Sequence, residues 1–255
     1  MTLSMLYLQA AAQDLSAYER GIIKREGISL PFRFLSPRSL QSIKYPLVIF
    51  LHGGSEKGDD NEQQLSIGGR FFLRDSIRSG FPAYVLFPQC PANDSWVYFE
   101  NSIDYTTGRA SDWFFPFNRH PTDVTIVLKK LLDSLVGTGK IDPSHIYIAG
   151  ISQGGMGVLD LVARFPDLFA AGISICGAGE PSTARHFASK VPLWLFHGDK
   201  DEVVPVSFSR EFSRRIKRSG GVARYTEYPG TGHDSWTKAF AEPDLLRWLF
   251  AQHKG

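Results

Sequence analysis

Three short stretches of this chain hold residue types that do chemistry when they meet. They are Gly150-Ile151-Ser152-Gln153-Gly154, His197-Gly198-Asp199-Lys200-Asp201-Glu202, and Gly230-Thr231-Gly232-His233-Asp234. A serine hydroxyl is a poor nucleophile until a base takes its proton. An imidazole is the base suited to neutral pH, and a carboxylate fixes its tautomer and steadies its cation. The three types follow one another here in the order serine, acid, histidine. G-x-S-x-G alone is weak, because a serine between glycines also serves simply as a helix cap. Context has to decide.

The base is read as His233. Of seven histidines, only His233 and His253 follow the segment 191–205, and His253, third from the last residue, reads as solvated. Among the acids Asp201 is favoured, since it lies deeper in its loop, just before Val203-Val204-Pro205, a segment able to wedge the loop against the core. Asp199, nearer the strand end, stays an alternative or a turn-former, and Glu202 is a more distant one. An oxyanion formed at such a serine needs two backbone N–H groups. One is expected from Gln153, the residue after the nucleophile. The other is expected from the glycine-rich loop after residues 45–52, at Gly54 or Ser55, and spacing does not choose between them. His52 reads as a histidine bonding that loop.

These residues need elements to hold them. "YPLVIFLHGG" (45–54), "AYVLFPQCP" (83–91), "HIYIAG" (145–150), "AAGISICG" (170–177) and "VPLWLFHG" (191–198) are continuous apolar runs ending in small residues. Runs of that kind are strands buried on both faces, as in a parallel sheet. "GIIKREGISLPFRFLSP" (21–37) alternates and breaks at Glu26-Gly27, which predicts an antiparallel hairpin. Helical spacing occupies 71–80, 121–137, 153–165, 207–220 and 243–253, with Pro121 placed near the first turn of the second. The alternation predicts an α/β fold, a mostly parallel doubly wound sheet with an antiparallel N-terminal hairpin, in one domain over 1–255 with an N-terminal extension at 1–20. Ser152 then stands where a strand turns sharply into a helix. Ligands in such sheets sit at the carboxyl ends of the strands, where these glycines collect.

Other chemistries are disfavoured. His52, His197 and His233 lack metal-ligand spacing, so no metal and no cofactor is expected. There is no phosphate-binding G-x-x-x-x-G-K-[ST] and no G-x-G-x-x-G. A net charge of +2 gives no reason to expect a nucleic-acid partner, and "SRRIKRSGG" (213–221) reads as the solvated end of a helix. No apolar run approaches the roughly 20 residues of a membrane span. Cys90 and Cys176 read as buried thiols. "MTLSMLYLQAAAQ" lacks a basic start, so a cytoplasmic location is expected, with export on a weak signal peptide as the alternative. Oligomeric state is not legible.

Residues 92–120 form a long aromatic-rich loop or lid. Eight aromatic residues lie between Trp96 and Phe117, in a chain with 13% aromatic residues. Two readings stand: a wall or lid over an aryl or sugar-bearing substrate, with Trp96, Trp113 and also Trp236 as candidate substrate contacts, or a loop packing itself down with its own rings.

"GISQGG", "HGDKDEVVP" and "GTGHDSW", in that order, resemble the α/β-hydrolase fold. More closely they resemble bacterial carboxylesterases of the phospholipase/carboxylesterase and dienelactone-hydrolase-like group. "LHGGSEKGDDNEQQL" and "FPQCPANDSW" are similar to the branch labelled predicted peptidases, whose characterised members act as esterases. The likeness runs over roughly residues 20–250. It implies Ser152 as nucleophile, Asp201 as acid, His233 as base, and Gln153 with the Gly54–Ser55 loop as oxyanion donors. Where dienelactone hydrolases carry cysteine, this chain has serine. The expected function is a serine carboxylic-ester hydrolase acting on small short-chain, aryl or carbohydrate-linked esters. A prolyl-oligopeptidase-type peptidase and a non-catalytic binding protein are the alternatives.

Overall fold

The computed structural model describes residues 15–25, 27–39, 44–104, 106–107 and 110–254. The leader-like stretch 1–13 lies outside the described residues. No helix among the described residues is long and apolar enough to cross a membrane.

Ten strands form among the described residues: β1 (Glu19–Arg25), β2 (Ile28–Leu35), β3 (Tyr45–Leu51), β4 (Tyr84–Pro88), β5 (Glu100–Ile103), β6 (Ala110–Phe114), β7 (Ile141–Ile151), β8 (Ala171–Ile175), β9 (Leu193–Gly198) and β10 (Ala223–Tyr228). β5 and β6 pair with each other, and the other eight make one sheet in the order β1-β2-β4-β3-β7-β8-β9-β10. β1, β2 and β4 run antiparallel, and from β4 to β10 every pairing is parallel. The hairpin turn between β1 and β2 uses Gly27 at φ 79°, a left-handed conformation that glycine adopts without strain.

The helices are α1 (Gly69–Phe72), α2 (Asp75–Gly80), α3 (Asp123–Gly137), α4 (Gln153–Arg164), α5 (Ala184–Phe187), α6 (Ser207–Arg218), α7 (Trp236–Ala239) and α8 (Leu245–Phe250). Side chains alternate across a strand, so each central strand feeds two cores. Leu47, Ile49 and Leu51 point to the side covered by α3, α4, α5 and α6. Val48 and Phe50 point to the side covered by α1, α7 and α8. This explains why the central runs are apolar at every position.

α3 shows how the pattern makes a helix. Thr122 caps it by accepting a hydrogen bond from Thr125 N–H, so Pro121 sits one residue before the cap. Val124, Val127, Leu128, Leu131 and Leu132 are buried on one side. Each contributes about 2 kcal/mol of apolar burial, which outweighs the few tenths that the valines lose in helix propensity. The helix ends at Thr138-Gly139, with Gly139 at φ 75°.

Two expected helices differ. The segment 71–80 splits into α1 and α2, with Arg74 extended at ψ 134°. Phe71, Phe72 and Leu73 are all buried, and three consecutive residues cannot share one helical stripe, so the chain turns before restarting at Asp75. The expected helix over 243–253 is regular only from Leu245 to Phe250, where Leu245, Leu246 and Leu249 are buried.

Candidate active site

Ser152 sits between β7 and α4 with φ 51° and ψ −120°. Its side chain makes no cap hydrogen bond to the helix, so the simple cap reading does not hold. The left-handed backbone of a non-glycine residue costs about 1–2 kcal/mol and persists because neighbours over-determine it. Ser152 N–H donates to Ile175 O on β8 at 2.8 Å, and Ser152 O accepts from Met156 N–H in the first turn of α4 at 2.9 Å.

The surrounding glycines are required by close approach. A Cβ at Gly150 would lie 2.4 Å from Gly154 O, and one at Gly154 would lie 2.1 Å from Leu51 O. Both obstacles are backbone and cannot swing aside. Gly154→Ala is therefore expected to force α4 away from β3, at a cost of about 3 kcal/mol or roughly 10 °C in Tm. Thermal unfolding followed by circular dichroism checks this, and a shift under about 2 °C would refute it.

The acid and the base come from adjoining loops. β9 leads into the Asp201 loop and β10 into the His233 loop, and these two strands pair in parallel. The loops are tied together: Lys200 N–H donates to Thr231 O at 2.9 Å, and Gly230 N–H donates to Asp199 Oδ1 at 2.7 Å. Asp199 thus holds the turn, and Asp201 faces the histidine. His233 Nδ1 lies 2.7 Å from Asp201 Oδ2, and His233 Nε2 lies 2.9 Å from Ser152 Oγ. Burial by itself would raise the Asp201 carboxyl. Hydrogen bonds from His197, His233 and Val204 N–H more than offset it and hold the carboxyl well below the usual carboxylate range. An ionised carboxylate only accepts, so Nδ1 carries the proton and Nε2 is free to accept from Ser152 Oγ–H.

The region 121–243 matches the Phospholipase/Carboxylesterase family. Carboxylesterase SOBER1 of Arabidopsis thaliana is 25% identical over 225 residues, covering 82% of this chain and 91% of that one. Putative esterase NocK of Nocardia uniformis subsp. tsuyamanensis is 31% identical over 113 residues, 41% of this chain. The crystal structure of a thermostable esterase superposes with a TM-score of 0.83 at 33% identity over 94% of this chain. This chain has the α/β-hydrolase fold. It spans 32% of NocK's length and 64% of the thermostable esterase chain.

The sheet places further residues around the site. Asp201 Oδ1 accepts from Val203 N–H and Val204 N–H, each at 2.9 Å, so that the loop curls around its own carboxylate. Behind it stands His197, wholly buried, with Nε2 at 2.9 Å from Val204 O and 3.2 Å from Asp201 Oδ2. Both partners are acceptors, so Nε2 is the protonated nitrogen, and Ser209 Oγ–H donates to Nδ1 at 2.7 Å. The sequence reading weighed His197 only as a metal ligand. Its position four residues before Asp201, at a strand end, was the available signal for a supporting role. Cys176 Sγ, Asp201 and His233 offer ligand-type atoms within 4.8 Å of one another, two of them already joined by the 2.7 Å bond. Both cysteines are free and buried, and burial pushes both thiols up.

Gly54, Ser152 and Gln153 border one open cavity of about 370 Å³, together with Phe99, Trp113 and Met156. Ser55, exposed like Gly54, does not border it. The aromatic segment is the antiparallel pair β5–β6, with aromatic packing on both flanks. Of the three tryptophans expected at the substrate, Trp113 borders the cavity. Trp96 does not: it is fully buried, its Nε1–H donates to His52 O at 3.1 Å, and its ring fills the core beside Gly157. Trp236 lies edge-on to the His233 ring at 5.7 Å between centroids and does not border the cavity.

His52 locks the loop that carries Gly54. Nδ1–H donates to Gly53 O at 2.7 Å, and Nε2 accepts from Cys90 N–H at 2.9 Å. Burial lowers its pKa from 6.5 to about 4, the bond to Gly53 opposing and the nearby Lys57 assisting. The unfolded chain takes up a proton here that the folded one refuses, so this contribution to stability is complete above the unfolded value and declines as pH falls from 6.5 towards 4. The total loss is about 3 kcal/mol. Urea unfolding at about pH 7 and pH 4.5 checks this, and His52→Gln should flatten the dependence. Equal slopes in the two proteins would refute it.

Proposed function

We propose that this protein of α/β-hydrolase fold is a serine carboxylic-ester hydrolase working through an acyl-enzyme. Ser152 Oγ attacks the ester carbonyl while its proton passes to His233 Nε2. Asp201 holds Nδ1–H and stabilises the imidazolium, and the N–H groups of Gln153 and Gly54 receive the oxyanion. The imidazolium then protonates the departing alcohol oxygen. Water, deprotonated by His233, attacks the acyl-serine, and the carboxylic acid leaves as Ser152 recovers its proton. No cofactor enters this scheme. The expected substrates are small short-chain, aryl or carbohydrate-linked esters.

The observation that carries this reading is the unbroken hydrogen-bond chain from Asp201 through His233 to a serine held at φ 51°. The named carboxylesterases and esterases among its relatives support it. Labelling with a fluorophosphonate probe tests it. Stoichiometric modification at Ser152, found by peptide mass spectrometry and accompanied by loss of p-nitrophenyl acetate hydrolysis, is the expected result. Ester turnover in protein whose Ser152 stays unlabelled would overturn the mechanism. Turnover of peptide anilides without turnover of esters would make the protein a peptidase.

A further inference from the structure

The cavity beside Ser152 has a direction, given by the tetrahedral centre that Ser152 would form. Besides Ser152 Oγ, that carbon carries an oxyanion, a leaving oxygen and the acyl carbon. The oxyanion belongs at the Gln153 and Gly54 amides, and the leaving oxygen must lie within reach of His233 Nε2. His233 does not border the cavity, whereas Ser152, Gln153 and Gly54 do. The cavity is therefore left for the acyl carbon, and the alcohol departs on the side of His233 and Trp236.

The cavity wall along β5–β6 carries two rings, Phe99 and Trp113. Along β5–β6, Glu100 pairs with Phe114 and Ser102 with Ser111, so two steps on β5 face three on β6. The extra residue is a bulge, a feature that re-aims side chains near active sites. Within it Asp112 has φ 49°, a left-handed backbone on a non-glycine residue. The next residue, Trp113, is half-buried, borders the cavity, and has its Nε1–H directed to Ala110 O at 3.3 Å. Its indole lies near-parallel to Phe99 (22°, 5.7 Å) and to Phe115 (11°, 6.0 Å), with Phe208 edge-on at 6.0 Å. A ring clamped on three sides is held in place before any substrate arrives.

We propose that this cavity is the acyl pocket and that Trp113, aimed by the bulge at Asp112, selects acyl groups ending in an aromatic ring, an inference that rests on the ester-hydrolase reading. An alkyl chain gains only buried area against the indole. A planar ring also gains the offset-stacked geometry that Trp113 already shares with its neighbours. At about 370 Å³ the space suits an arylalkanoyl group, with the leaving alcohol outside it.

The test compares p-nitrophenyl acetate, hexanoate and 3-phenylpropanoate, which share one leaving group. The phenylpropanoate is expected to exceed the hexanoate in kcat/KM by about tenfold. Trp113→Ala should reduce the phenylpropanoate about tenfold more than the acetate, and Trp113→Phe should restore most of the difference. Asp112→Gly, which keeps the left-handed turn, should preserve the selectivity, and Asp112→Val should lose it. A hexanoate that matches the phenylpropanoate, or a Trp113→Ala loss equal for all three esters, would overturn the proposal. Should no ester be hydrolysed, the esterase reading falls and the pocket is judged by calorimetry. There 3-phenylpropanoic acid should bind about tenfold more tightly than hexanoic acid, with the difference gone in Trp113→Ala. Equal binding of the two acids would overturn it.

Discussion

Ser152→Ala is expected to lower kcat for a p-nitrophenyl ester by about a millionfold in protein that remains folded. Without Oγ no acyl-enzyme forms, and His233 can only activate water against a substrate positioned for a different attacker. The Gln153 and Gly54 amides would remain, so a residue of roughly 10³–10⁴ over the reaction in water should persist. The same position carries a stability signal of opposite sign. Ser152 has φ 51°, where a Cβ crowds the backbone and glycine does not. Ser152→Gly is therefore expected to be inactive yet more stable than the parent by about 1 kcal/mol. Single-turnover assays and urea unfolding on the two variants check both statements. Retention of more than about a thousandth of the parent activity by Ser152→Ala would sink the nucleophile assignment.

Asp201→Asn is expected to cost about 10⁴ in kcat with little change in KM. The carboxylate is fully buried and makes two kinds of bond. Oδ1 accepts from the N–H groups of Val203 and Val204, and Oδ2 accepts from His233 Nδ1–H. An asparagine has one acceptor oxygen, and the two backbone donors keep it. Its NH₂ then faces His233 Nδ1, which must accept instead of donate. The proton moves to Nε2, and the ring can no longer take the Ser152 proton. Fluorophosphonate labelling should slow in parallel with kcat, since both depend on the same proton transfer. An unchanged circular dichroism spectrum separates this tautomer effect from unfolding, and an unchanged labelling rate would refute it. The carboxyl is held below its ordinary value, so its ionisation stabilises the fold at pH above about 3.9 and ceases to as pH falls below that value. The asparagine variant should lack that acid-side decline.

How much was legible follows from how local each determinant is. The strand runs at 45–51, 84–88, 171–175 and 193–198 read directly, since burial on both sheet faces demands apolar residues at every position. The break in 71–80 did not, because only the layer packed over the segment shows that Phe71, Phe72 and Leu73 are all buried. Ser152 stood out because strand, turn and helix lie within a few residues of it. Trp96 and Trp113 are alike in sequence, both in the same aromatic stretch, and opposite in place: one fills the core and hydrogen-bonds His52, the other borders the cavity. Aromatic content cannot separate them, because burial is decided by what covers a side chain. His197 was overlooked for a similar reason, its bonds to Asp201 and Ser209 depending on how β9 meets α6.

By itself, then, the sequence determined the α/β alternation, the strained turn around Ser152 and the chain order of serine, acid and histidine. Each of these follows from periodicity or from steric demands between near neighbours. The tertiary structure alone decided that His233 reaches Ser152 across 81 residues and Asp201 across 32, that Asp199 ties the turn, and that a bulge aims Trp113 at the cavity. Those outcomes depend on donors and acceptors in separate loops being placed at hydrogen-bond distance, 2.7–2.9 Å, and only the packing of the sheet sets them.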